Sequence, residues 1–180
     1  MIVLFESPDR CGKSTQSQLL YNKLWRLGPT HSLHYSNLKG ASKEESLNNS
    51  IILYSDMFNL LLKGPKNRNF ILDRSHIGEY VYAPMYRGYD GSYIFDIEKQ
   101  FMNNDNWNLI YLVTFIDKAE NIIKRDDGLS FSTQVENKKK EINSFVEASK
   151  KSYIKNKIVI DINGKSIEEV EKEVDSFLNI

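Results

Sequence analysis

The stretch Phe5-Glu6-Ser7-Pro8-Asp9-Arg10-Cys11-Gly12-Lys13-Ser14-Thr15-Gln16 constrains this chain more than any other, because it sets a Gly-Lys-Ser-Thr turn between a strand and a helix. The apolar run Ile2-Val3-Leu4-Phe5 before it is short, like a buried parallel strand. After it, Leu20, Leu24 and Leu27 recur at helical spacing, with Leu19 beside them. A loop so placed aims backbone N–H groups and a helix N-terminus at one point, where phosphate oxygens bind. Lys13 brings a cation to the β- and γ-phosphates of ATP, and Ser14 or Thr15 offers a hydroxyl to the accompanying Mg²⁺. The candidate ATP-binding residues here are Cys11, Gly12, Lys13, Ser14 and Thr15. One position departs from the pattern G-x-x-x-x-G-K-[ST]. The loop opens with Ser7 where glycine is usual, and a Cβ tolerates positive φ poorly.

At 180 residues the chain is read as one domain, 1–180, with a single buried core. Lys plus Arg and Asp plus Glu number 24 each, so no overall positive field draws it to nucleic acid or to an anionic membrane. No apolar stretch reaches the roughly 20 residues of a spanning helix. The N-terminus opens on a strand instead of a signal segment, so a soluble, cytoplasmic protein is expected. The single cysteine, Cys11, excludes an internal disulfide and is read either as a small residue the loop needed or as a redox-sensitive thiol. The three histidines show no zinc-ligand spacing.

Strand-like and helix-like segments alternate along the whole chain. Strands are predicted at Ile2–Phe5, Ser32–Ser36, Phe70–Leu72, Leu109–Val113 and Ile158–Ile160. A polar segment, Lys39 to Ser46, leads into a helix reaching about Leu62, closed by Gly64-Pro65. Further helices are predicted over about 78–87, 93–102, 118–124 and 134–153, and from Ser166 onwards. That order implies an α/β fold: five parallel strands with helices on both faces and ligands at the strands' carboxyl ends.

With these residues in view, the chain resembles the thymidylate kinase family of P-loop nucleoside monophosphate kinases. Asp9-Arg10-x-Gly12-Lys13-Ser14-Thr15-Gln16 is similar to that family's loop, including its acidic residue and arginine, and Ile71-Leu72-Asp73-Arg74 to its strand ending in Asp-Arg. Ile160-Asp161, followed by Asn163-Gly164-Lys165-Ser166-Ile167-Glu168-Glu169-Val170, resembles its C-terminal turn beside the adenine. The resemblance implies a P-loop NTPase fold, ATP and Mg²⁺ as cofactors, nucleotides as substrates and a homodimer. It implies that Asp9 binds the 3′-hydroxyl of a deoxyribose and that Arg10 stabilises charge on the moving phosphoryl group, against a plain surface ion pair. It implies that Arg74 grips the acceptor phosphate and that Asn163 and Gly164 lie beside the adenine. Asp73 is read either as a water-mediated Mg²⁺ ligand with Ser14 or as an N-cap for the next helix.

The polar stretch from Lys124 to Thr133 falls where the family places its lid, with Arg125 the candidate to reach the phosphates and Lys124 second; a solvated helix end is the competing reading. Where the family carries an aromatic and then an arginine to hold thymine, this chain has Tyr54 but no arginine nearby. Asp56 is read either as an acceptor for an exocyclic amino group, which would favour another base, or as a solvated helix-surface residue. The aromatic run Ser75 to Arg87 is read as acceptor pocket or as core packing. The activity implied is phosphoryl transfer from ATP to a deoxynucleoside monophosphate, dTMP first. Two rivals are a deoxynucleoside kinase, since Asp73-Arg74-Ser75 is similar to that family's Glu-Arg-Ser, and an inactive nucleotide-binding module weakened by Ser7. A polynucleotide 5′-kinase is disfavoured because no basic patch with interleaved aromatics is present.

Overall fold

In the computed structural model, which describes residues 1–36, 42–64 and 67–180, the strands β1 (Ile2–Glu6), β2 (Thr30–Leu33), β3 (Asn69–Asp73), β4 (Ile110–Ile116) and β5 (Asn156–Asp161) form one sheet. Their order is β2-β3-β1-β4-β5, and every neighbouring pair is parallel, as the α/β reading predicts. Parallel strands need crossovers, and the helices α1 (Lys13–Trp25), α2 (Lys43–Lys63), α3 (Ile77–Tyr82), α4 (Tyr93–Phe101), α5 (Ala119–Lys124), α6 (Val135–Lys151) and α7 (Ile167–Leu178) supply them. Except at β2, the predicted strands fall short at one or both ends. β4 runs on through Thr114 to Ile116, where the buried polar Thr114 interrupts the apolar run that marked it. Ser32–Ser36 corrects to Thr30–Leu33. Lys39 and Pro65, named in the sequence analysis, lie outside the described residues.

Alternation along β1 explains why both sheet faces are covered. Ile2 and Leu4 enter one core with Phe58, Trp107 and Phe145 from α2, α6 and the turn before β4, whereas Val3 and Phe5 enter the other with Leu20, Leu24, Val170 and Val174 of α1 and α7. Two helices begin on capping boxes, Ser42 with Glu45 and Ser166 with Glu169, which fix the starts of α2 and α7. The predicted helix over 78–87 is two elements. α3 ends at Tyr82, and Ala83–Arg87, which contains Pro84, continues as a π-helical turn closed by Gly88 at φ 75°. Proline lacks the N–H that a regular α-helical turn needs, so the ladder widens there.

The loop after that turn is pressed onto α3 at Gly91. A Cβ built there would stand 2.5 Å from the Glu79 carbonyl oxygen and 2.7 Å from Tyr80 Cα, both backbone atoms that cannot yield cheaply. Gly91→Ala is therefore expected to destabilise the protein by about 1–3 kcal/mol. At roughly 2–4 °C per kcal/mol for a chain of this size, calorimetry should show a clear fall in Tm. An unchanged Tm would contradict this packing.

Candidate functional site

The carboxyl ends of β1 and β3 lie side by side, with Phe5 in register with Asp73, so the loop after β1 faces the residues after β3. Glu6, 1% exposed, fixes this juncture by accepting from both the backbone N–H and the hydroxyl of Ser75, each at 2.7 Å. Around it opens a cleft of about 1150 Å³, lined by the loop, by Asp73, Arg74 and Ser75, by the α3 segment and by Arg125. Pockets for small molecules run to about 300–1,000 Å³, so the cleft is large enough for a nucleotide-sized ligand.

Within the loop the left-handed positions are Arg10 (φ 68°) and Gly12 (φ 79°), not Ser7. Ser7 therefore needs no glycine-like backbone, which corrects the expected conflict with its Cβ. Its side chain is used instead. Lys13 Nζ donates to Ser7 Oγ (2.9 Å), to Ser7 O (3.0 Å) and to Pro8 O (3.1 Å), while Ser7 Oγ donates to Pro8 O. Burial, reinforced by the Arg74 guanidinium, pushes the Lys13 ammonium below its ordinary value, and Asp9 opposes this. A site in which a cation is disfavoured gains from an added anion.

Ser14 Oγ donates to Asp73 Oδ2 at 2.5 Å, bringing together the two residues predicted to hold a metal. The other oxygen, Asp73 Oδ1, is buried with no hydrogen-bond partner among the described residues. The N-cap reading of Asp73 falls, because α3 begins after His76 and has no side-chain cap. One carboxylate beside one hydroxyl fits Mg²⁺, which takes few protein ligands and completes its shell with water and phosphate oxygens. No group of three or more His, Cys, Asp or Glu side chains among the described residues could hold a metal.

Arg74 is the second arginine at positive φ (79°); its N–H donates to Phe5 O at 3.1 Å and its Nη2 to Asp9 Oδ1 at 2.5 Å. Left-handed backbone at a non-glycine residue costs on the order of 1–3 kcal/mol and is found where a site requires it. Asp9 and Arg74, both called for the acceptor, are thus paired with each other. The pair is partly exposed, so it contributes about 0–1 kcal/mol, little enough for a phosphate dianion to take over the guanidinium.

On the lid side, Arg125 lines the cleft and Lys124 does not. Arg125 forms an ion pair with Asp117, a carboxylate buried just beyond β4, and donates from Nε to Asn121 O at 3.2 Å. Arg10 forms an ion pair with Asp127 of the same segment, the surface contact that competes with its catalytic reading. Phe131, in the stretch from Lys124 to Thr133, stacks on Tyr86 with centroids 4.7 Å apart. On the acceptor side, Tyr54 lines the cleft from α2 and is 3% exposed, its ring edge-on to His76, while Asp56 is exposed and outside the lining. The aromatic run divides. Ile77 and Val81 pack in the core, whereas Gly78, Glu79, Tyr82, Tyr86 and Arg87 line the cleft.

Thr15 also lines the cleft. Asn163 and Gly164 occupy the turn beyond β5, with Gly164 at φ 75° and Asn163 Oδ1 accepting from Asn121. That turn is tethered to the loop helix through Gln16, whose amide donates to Ile167 O at 3.0 Å. Sequence reasoning missed Glu6, Glu79, Arg87 and Asp117. Only Glu6 carried a local signal, as a charge ending an apolar strand.

Cys11 settles one alternative. Its side chain is 1% exposed in the Val3–Phe5 core, and burial pushes the thiol up to about 12, so it is protonated at any physiological pH. The native protein is expected to leave iodoacetamide unreacted at pH 8, with rapid labelling after denaturation. Rapid native labelling would restore the redox reading.

No family model matches the chain. It is 27% identical over 188 residues to a curated relative, a probable thymidylate kinase of Methanocaldococcus jannaschii, covering 99% of this chain and 95% of that one. Among solved structures it is similar to a thymidylate kinase of Ehrlichia chaffeensis, at TM-score 0.70 and 18% identity over 99% of this chain and 98% of the other. It is also similar to a deoxyadenosine kinase of M. mycoides with bound dATP, at TM-score 0.59 and 17% identity over the whole of both chains.

Proposed function

We propose that this chain, thymidylate kinase-like in sequence and in fold, transfers the γ-phosphoryl group of ATP to a deoxynucleoside monophosphate, dTMP first. The observation that carries this reading is the pairing at the strand ends. Lys13, Ser14, Asp73 and Arg74 line one cleft, and Arg10 and Arg125, paired with Asp127 and Asp117, line it too. Phosphoryl transfer asks for little covalent work, only two anionic nucleotides held in line and the moving charge neutralised.

In this reading Lys13 and the backbone N–H groups of Cys11 to Thr15 hold the β- and γ-phosphates. Ser14 and Asp73 would hold Mg²⁺, which when bound spreads the charge of the β- and γ-oxygens. Arg74 exchanges Asp9 for the acceptor phosphate, with a planar fork suited to two oxygens. Asp9, once released, accepts from the 3′-hydroxyl. Arg10 leaves Asp127 to meet the charge of the transferred group, Arg125 meets it from its place beside the buried Asp117, and lid closure excludes water that would waste ATP. Tyr54 faces the base, and Asn163 and Gly164 flank the adenine. Action as a cytoplasmic homodimer belongs to the same proposal. No helix among the described residues is long and apolar enough to cross a membrane.

ADP release with ATP and Mg²⁺ across deoxynucleoside monophosphates, the matching nucleosides and a 5′-hydroxyl oligonucleotide tests the reading. Monophosphates are expected to be turned over with nucleosides inert, and Lys13→Ala is expected to lower kcat by at least about 100-fold, the scale of losing one fixed transition-state donor. Asp73→Asn should raise the Mg²⁺ concentration needed for half-maximal rate. Turnover of nucleosides alone would assign a nucleoside kinase, and silence across the panel would leave a nucleotide-binding module.

A further inference from the structure

The acceptor end of the cleft contains a charge pair that none of the roles above uses. α3 follows Arg74 and contributes Gly78, Glu79 and Tyr82 to the cleft wall, and the π-helical turn after it contributes Tyr86 and Arg87. Glu79 has no exposed side-chain surface. It accepts from Tyr89 Oη at 2.5 Å and Tyr93 Oη at 3.1 Å on Oε1, and from Arg87 Nη1 on Oε2. Arg87 keeps 20% of its side-chain surface open. The carboxylate is enclosed and occupied, so it does not itself meet a ligand. The guanidinium is held by it through one N–H group, which leaves further donors on a side chain that lines the cleft. Leaving Glu79 buried and alone is strongly unfavourable, so Arg87 stays in place and does not swing to a phosphate.

Resting on the acceptor reading above, we propose that Arg87 is the residue that reads the acceptor base, donating to a ring carbonyl oxygen and thereby selecting oxo bases over amino bases. A guanidinium only donates. Thymine and uracil present O4 at the base edge and guanine presents O6, all acceptors, whereas cytosine and adenine present an amino group at the same place. With an amino base, two donors face each other and both lose their hydrogen bonds, which a site built for one partner punishes heavily. The arginine absent after Tyr54 is thus replaced from a different element. Arg87 ends the widened turn that contains Pro84 and lines the same cleft as Tyr54, and Glu79, anchored by two tyrosine hydroxyls, is its positioning residue.

The test measures kcat/KM with ATP and Mg²⁺, and equilibrium binding by calorimetry, for dTMP, dUMP, dGMP, dCMP and dAMP on the native protein and on Arg87→Met. The native protein is expected to favour the three oxo bases by about 100-fold or more. Arg87→Met is expected to lose at least about ten-fold of that preference with KM for ATP unchanged. Should Arg87→Met fail to fold, Arg87→Gln, whose amide can donate to Glu79 and can both donate to and accept from a base edge, takes the same measurements. Native turnover without oxo preference, or a preference that survives substitution, overturns the role of Arg87 and leaves the kinase reading standing. Absence of turnover with every monophosphate refutes the kinase reading, and the binding arm then judges Arg87 alone, with equal binding of oxo and amino bases overturning it.

Discussion

Everything at the cleft depends on the hold of Glu6 on Ser75. Parallel pairing of β1 with β3 sets Phe5 opposite Asp73, but two strands in register fix only their own ends. The buried Glu6 carboxylate, accepting twice from Ser75, extends the register by two residues past the sheet, to where the loop and the Asp73-Arg74 step meet. Arg74 N–H donating to Phe5 O closes the same joint from the other side and holds Arg74 in its left-handed backbone. A carboxylate with so little exposure is unfavourable without partners, so the joint forms fully or the strand ends part. Ser14 reaching Asp73 is a consequence of that joint.

The cations around the cleft share one design. Lys13 rests on oxygens of Ser7 and Pro8, Arg74 on Asp9, Arg10 on Asp127 and Arg125 on Asp117. The Arg74 and Arg10 pairs are partly open to solvent and therefore weak, whereas Arg125 rests on a buried carboxylate. In the proposed reading, phosphate offers two negative charges and several acceptor oxygens to the same groups and so competes with the internal partners. Glu79 and Arg87 differ in kind. There the carboxylate is fully enclosed and triply engaged, so the pair is built to persist while a ligand is bound.

The sequence made the fold legible because parallel strands covered on both faces are short apolar runs, and five of them stand out between helical patterns. It made the loop legible because backbone N–H groups, a lysine and a hydroxyl are adjacent in the chain. Ser7 was misread for a physical reason: glycine at a loop's opening signals backbone freedom only if φ there is positive, and here Arg10 and Gly12 take that role. Asp73 kept two readings because a carboxylate after a strand suits both a metal and a helix cap, and only the position of α3 separates them. Glu79 and Arg87 left no signal, since their partnership runs across a π-helical turn that hydrophobic periodicity does not register, although Pro84 inside a helical pattern was a warning. Asp117 was equally silent, being one acidic residue after a strand until Arg125 is found beside it.

The most direct test of the central claim is a crystal structure with a bisubstrate ligand in which adenosine and thymidine are joined through five phosphates. The account predicts phosphates of the adenosine half within hydrogen-bond reach of Lys13 and the loop N–H groups, the terminal phosphate on the thymidine side held by Arg74, and Asp9 released from it. A thymidine-side phosphate bound away from Arg74, with the Arg74 to Asp9 pair intact, would contradict it.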